Sequence, residues 1–87
     1  MPGETMTRSV LITGATRGLG EGLAREFASR GYQLALTGRN SAELQRLQDE
    51  LDSVAPKVCT RTLDVLQYDE IPTVLRECAE TLGSIDI

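Results

Sequence analysis

The residues Thr13-Gly14-Ala15-Thr16-Arg17-Gly18-Leu19-Gly20 combine a glycine spacing with a cation in a way that could hold a phosphate. The short apolar run Ser9-Val10-Leu11-Ile12 precedes them, and Leu23-Ala24-Arg25-Glu26-Phe27-Ala28 follows with a helical pattern. A glycine turn between strand and helix leaves the first N–H groups of the helix without internal partners. The positive end of the helix dipole stands behind them. Gly14 lets the chain leave the strand in a conformation that a side chain obstructs. Gly18 omits a Cβ where a pyrophosphate comes close to the backbone, and Gly20 allows tight packing of the helix. The N–H groups near Gly18 and Leu19 are the expected anion donors. Arg17 lies inside this turn, and Arg39 follows Gly38 after a second apolar run. A guanidinium presents several donors to a phosphate in a planar fork.

Other chemistries are poorly served. The phosphate loop of ATPases needs Lys and then Ser or Thr after its last glycine, and Glu21-Gly22 stands there instead. With no histidine in 87 residues, no imidazole can serve as acid, base or ligand. Cys59 and Cys78 lack metal-ligand spacing and read as reduced, packed thiols, so no metal site is expected. The formal charge of −4 argues against a nucleic-acid surface. No segment has the length and apolarity of a membrane-spanning helix, and residues 1–7 lack the basic-then-apolar order of a secretion signal. A loose lead-in over 1–7, no membrane partner and a cytoplasmic location are therefore expected.

The elements that must position these residues alternate strand and helix. Val10 to Ile12 is apolar throughout, as suits a parallel strand covered on both faces. Leu19, Leu23 and Phe27 form a stripe at helical spacing, with Ala24 and Ala28 beside it, and Gly31 marks a left-handed end. The second strand is Leu34 to Thr37. Asn40 or Ser41 can cap the next helix, whose stripe is Leu44, Leu47, Leu51 and Val54 before Pro56. Val58 to Leu63 alternates as a strand nearer the sheet edge. With Asp69 as cap, a third helix carries Pro72 at its third position and buries Ile71, Val74, Leu75, Cys78 and Leu82. Ser84 to Ile87 starts a fourth strand. Alternation of this kind implies right-handed crossovers onto a parallel sheet, with a ligand at the carboxyl ends of the strands.

The pattern T-G-x-x-x-G-x-G after a first strand, here Thr13 to Gly20, resembles the short-chain dehydrogenase/reductase family. The resemblance implies an α/β fold with a Rossmann-type parallel sheet, strand order 3-2-1 and the start of strand 4, in truncated form. Residues 8–87 become the N-terminal part of a dinucleotide-binding domain. It implies cofactor contacts at Gly14, Thr16, Arg17, Gly18, Leu19, Gly20, Arg39, Asn40, Asp64 and Val65. An acidic residue at the end of the second strand grips the ribose of NAD(H), and Gly38 occupies that place. Arg17 and Arg39 match the family's clamp on the adenosine 2′-phosphate, so NADP(H) is expected in preference to NAD(H). Asp64 resembles the adenine-contacting aspartate with Val65 beside the ring, and a turn or cap role explains Asp64 equally well. Helix capping likewise explains Asn40 as well as an assisting role beside Arg39.

The family's proton-transfer group is not in these residues. Family members carry an Asn-Asn-Ala-Gly run, a catalytic Ser and a Tyr followed four residues later by Lys. Four residues after Tyr32 and Tyr68 stand Leu36 and Pro72. The one lysine, Lys57, has Ser53 four residues before it. No catalytic residue is therefore assigned. The expected function is an NADP(H)-binding N-terminal segment of an oxidoreductase that moves hydride between nicotinamide and a carbonyl or alcohol. The chain by itself is expected to be inactive. The alternatives are a naturally short, non-catalytic nucleotide-binding or partner-binding module, or a remnant without function. A largely unpaired edge on the first strand is expected to favour self-association.

Overall fold

The computed structural model describes residues 8–64 and 68–87. The expected lead-in over 1–7 and the assignment of Val65 fall outside the described residues. The chain runs β1 (Ser9–Ile12), α1 (Gly18–Ser29), β2 (Gln33–Gly38), α2 (Ser41–Leu51) and β3 (Val58–Thr62). A single 3₁₀ turn (Tyr68–Glu70) then leads into α3 (Ile71–Leu82). The sheet is parallel with order β1-β2-β3, the α/β arrangement expected from the alternation. Ser9 pairs with Gln33 and Ile12 with Leu36, and Leu34 pairs with Val58 and Gly38 with Thr62.

Both faces of the sheet are covered, and the period of two along each strand sorts the side chains. Val10, Ile12, Leu34, Leu36 and Val58 face α1 and α2, meeting Ala24, Ala28, Leu44, Leu47 and Leu51. Ala35, Cys59 and Leu63 face α3, meeting Val74, Cys78 and Leu82. Each large aliphatic side chain so buried contributes about 1.5–3 kcal/mol relative to exposure.

The helix ends follow from local chemistry. Asn40 Oδ1 accepts from the Glu43 N–H at 3.0 Å, so Asn40 is the cap of α2. Gly31, at φ +86°, takes the left-handed position after α1. α3 differs from expectation. Its cap position is Glu70, with no side-chain cap bond, and Pro72 stands at the second helical position. The 3₁₀ turn consumes Asp69, and Pro72 is still within the turn whose N–H groups have no helical partner.

The apolar stripe expected on α1 is corrected as well. Ala24 and Ala28 are its buried residues, whereas Leu19 is 79% exposed. Small side chains let α1 approach the sheet closely, which turns the larger Leu19 and Leu23 toward its flank. Val54 is 51% exposed because α2 ends at Leu51 and the chain turns there. Across the surface, Arg25 bridges Glu21 of α1 at 2.7 Å and Glu50 of α2 at 2.6 Å. Arg46 adds a bond to Glu50 at 2.8 Å. The Glu50 carboxyl is held below its usual range, first by Arg25 and then by Arg46.

The two sheet edges differ. The outward carbonyls of β3, on Val58 and Thr60, accept from Gln48 Nε2 at 3.2 Å and Arg61 Nη1 at 2.7 Å. On the other side, residues 86–87 lie along β1. The Leu11 N–H donates to the Ile87 carbonyl at 2.8 Å, the Asp86 N–H donates to the Ser9 carbonyl at 2.9 Å, and the Ser9 N–H donates to Asp86 Oδ2 at 2.9 Å. The stretch expected to start a fourth strand thus lies beside β1 of the three-stranded sheet. The edge expected to be largely unpaired is covered from Ser9 to the Leu11 amide.

Candidate functional site

Main-chain bonds lace the carboxyl ends of the three strands together. The Ala15 N–H donates to the Thr37 carbonyl at 3.0 Å, which ties the glycine turn to the end of β2. The Leu63 N–H donates to the Gly38 carbonyl at 2.8 Å, which ties the end of β3 to the same place. Between these ends opens a cleft of about 380 Å³. Its walls are Thr13, Gly14, Thr16 and Arg17 from the turn, Gly38, Arg39, Asn40 and Glu43 from β2 and α2, and Leu63 and Asp64 after β3.

Six of the expected site residues meet in this cleft: Gly14, Thr16, Arg17, Arg39, Asn40 and Asp64. They come from three separate segments of the chain. Asn40 Oδ1 is committed to the α2 cap. Arg17 and Arg39 are exposed and form no ion pair with a carboxylate among the described residues, whereas Arg25, Arg30, Arg46 and Arg61 all do. Glu43 is a cleft residue that the sequence reading did not assign. It stands one helical turn after Asn40, and that spacing was the available signal.

Leu19 and Gly20 do not join these residues. They line a second, apolar cleft of about 330 Å³ on the far side of the turn, with Val10, Leu11, Ile12, Leu23, Phe27 and Ile87. Thr13 borders both clefts. Gly18 opens α1 between them with φ +46°. The α1 cap position, Arg17, is extended and provides no side-chain cap bond, so its first turn keeps donors for an outside acceptor.

The glycines have distinct reasons. Gly14, at φ +62°, turns the chain out of β1 in the left-handed region that favours glycine. Gly20 has a different constraint: a Cβ there would stand 2.2 Å from the Gly14 carbonyl oxygen. The close packing expected between helix and strand is therefore packing of α1 on the turn itself. At Gly38 a Cβ would meet Leu44 Cδ2 at 3.6 Å and Thr16 Oγ1 at 3.7 Å, which are ordinary contacts. The lack of an acidic side chain at this position is thus not imposed by space.

The donor set suits a dinucleotide phosphate. Two guanidiniums without an ion pair among the described residues and a helix start whose cap position gives no side-chain bond both favour an anion. Among the described residues no cluster of His, Cys, Asp or Glu could hold a metal ion. No helix among them is long and apolar enough to cross a membrane.

Residues 8–87 match the family model of the short chain dehydrogenases. An uncharacterized oxidoreductase of Mycobacterium tuberculosis is 41% identical over 81 residues, which cover 91% of this chain and 32% of that protein. An alcohol dehydrogenase from the archaeon Thermococcus sibiricus, solved in complex with 5-hydroxy-NADP, superimposes with a TM-score of 0.87. It is 33% identical, with 93% of this chain and 35% of that one covered. A 3-oxoacyl-[acyl-carrier protein] reductase from Brucella melitensis, solved in complex with NAD, gives a TM-score of 0.85 at 29% identity, covering 95% of this chain and 32% of that one. The chain spans about a third of the length of the curated relatives it matches.

Proposed function

This chain belongs to the short-chain dehydrogenase family, and from that premise we propose that residues 8–87 are the N-terminal, NADP(H)-binding part of an oxidoreductase domain. The parent activity on this reading is hydride transfer between a nicotinamide and a carbonyl or alcohol. The observation that carries the cofactor choice is the cleft that Arg17 and Arg39 share with Gly38, neither arginine being in an ion pair among the described residues. No carboxylate extends from the end of β2 to repel a 2′-phosphate, and two guanidiniums are available to bind one. The family comparison supports a nicotinamide dinucleotide of either kind, since one solved relative carries an NADP derivative and another carries NAD.

Each element of the chain has a task in this reading. The α1 start receives the pyrophosphate through the N–H groups near Gly18 and Leu19, with Gly14 shaping the turn below. Arg17, Thr16, Arg39 and Asn40 border the adenosine phosphate, and Asp64 and Val65 border the adenine. The nicotinamide, once bound, supplies the hydride chemistry. On this reading the apolar cleft lined by Leu19, Gly20 and Thr13 takes the other half of the dinucleotide.

Replacement of Arg39 by Asp removes one guanidinium and adds repulsion. A hydrogen bond to a charged group contributes about 1.5–3 kcal/mol, so NADP(H) affinity is expected to fall roughly tenfold to a hundredfold. NAD(H) affinity is expected to hold. Calorimetric titration of both chains with both cofactors is the measurement, and equal affinity for the two cofactors in the unaltered chain would remove the clamp.

A further inference from the structure

Away from the nucleotide cleft, on the opposite face of the sheet, Cys59 of β3 and Cys78 of α3 place their sulfurs 3.6 Å apart. Both thiols are free and buried, with 3% and 0% of their surfaces exposed. A second link joins the same two elements beside them, because Arg61 Nε donates to Glu77 Oε1 at 3.2 Å. The ion pair fixes the position of α3 along β3, and with it the approach of the two sulfurs. A disulfide requires about 2.05 Å between sulfurs, so the pair must close by well under the width of one atom pair in contact. The thiols differ in environment. Cys78 is pushed up to about 12, first by burial and then by its bond with Cys59. The Arg61 guanidinium is raised above its ordinary value chiefly by the nearness of Cys59. The Arg61 guanidinium acts on both sulfurs, and Cys59 is the less enclosed of the two.

We propose that Cys59 and Cys78 are a paired oxidation site that closes to an intramolecular disulfide when a hydroperoxide reaches Cys59. The Cys59 thiolate attacks one peroxide oxygen, the O–O bond breaks, and Cys59 sulfenic acid and hydroxide result. The Cys78 sulfur then attacks the Cys59 sulfur. The S–O bond breaks, the S–S bond forms, and the Cys78 proton leaves with the departing oxygen as water. In sum, two thiols lose two electrons and two protons to one hydrogen peroxide, which becomes two waters. Burial makes the first step slow and dependent on local opening of α3. The product ties α3 to the strand whose carboxyl end, at Leu63 and Asp64, borders the nucleotide cleft.

The test exposes the reduced, folded chain to hydrogen peroxide for a day. Intact mass and thiol content are then measured under denaturing conditions. The expected result is a monomer lighter by about 2 Da with both thiols lost, restored by dithiothreitol. The Cys78→Ser variant is expected to show no such loss of mass. Unchanged thiols, a gain of about 32 Da from sulfinic acid, or disulfide-linked dimers would each overturn the proposal.

Discussion

At the scale of single residues, the site depends on what glycine leaves out. Gly20 is the sharpest case, because the atom opposing a side chain is the Gly14 carbonyl of the same turn. A backbone obstacle cannot rotate away, so α1 must move off the turn that presents its N–H groups. Gly20→Ala is expected to cost about 1–3 kcal/mol of stability and to weaken nucleotide binding. Chemical denaturation with calorimetry measures both, and a variant matching the original in both would contradict the packing argument. Thr37 presents the opposite situation. Its carbonyl holds the turn, but its buried Oγ1 has no hydrogen-bond partner among the described residues. Thr37→Val removes an unsatisfied hydroxyl and keeps the branched shape, so stability is expected to rise by about 1 kcal/mol. A lower denaturation midpoint would show that the hydroxyl has a partner in solution.

At the scale of elements, α3 is held to the sheet by Val74, Cys78 and Leu82 and by the Arg61–Glu77 pair. This attachment is expected to weaken in alkali. The folded protein keeps the Cys78 proton up to about 12, against an ordinary value of 9.0. Between these limits the folded state binds more protons than the unfolded chain, so stability falls as pH rises. The contribution is complete below the lower limit and lost through the upper one. Thermal midpoints at about pH 8.5 and about pH 11 are expected to drop further for the unaltered chain than for Cys78→Ala. Equal drops would remove the thiol from the account. On the other face α2 was easier to foresee, since its stripe of Leu44, Leu47 and Leu51 is buried as its spacing predicts. The α1 stripe misled because periodicity locates an apolar face without saying how close the neighbouring layer lies. Alanine allowed the closer approach.

At the scale of the whole molecule, the described residues bring together the cleft proposed to bind a dinucleotide. Neither Tyr32 nor Tyr68 has a lysine four residues on, and no histidine is present to replace that pair. The 87-residue chain, assayed by itself, is therefore expected to give no substrate-dependent oxidation of NADPH. Absorbance of the reduced nicotinamide can be followed across ketones and aldehydes. Turnover that scales with protein and is lost in the Gly18→Ala variant would refute this.

The strand–turn–helix order, the parallel sheet and the glycine turn were legible in the sequence, because each is a local pattern of period, breaker and cap. The Asn40 cap was legible as one of two choices, and the geometry selected it through the bond to Glu43. The start of α3 was not legible, because a 3₁₀ turn and a helix share the same local residues and differ in how the chain meets the sheet. The meeting of Arg17, Arg39 and Asp64 was expected from the strand order, but only the tertiary structure separated Leu19 and Gly20 into another cleft and set two cysteines in contact. Those are distances between segments remote in the chain. They follow from the pairing register of parallel strands and from the bonds of Ala15 and Leu63 to the end of β2, which no local pattern specifies.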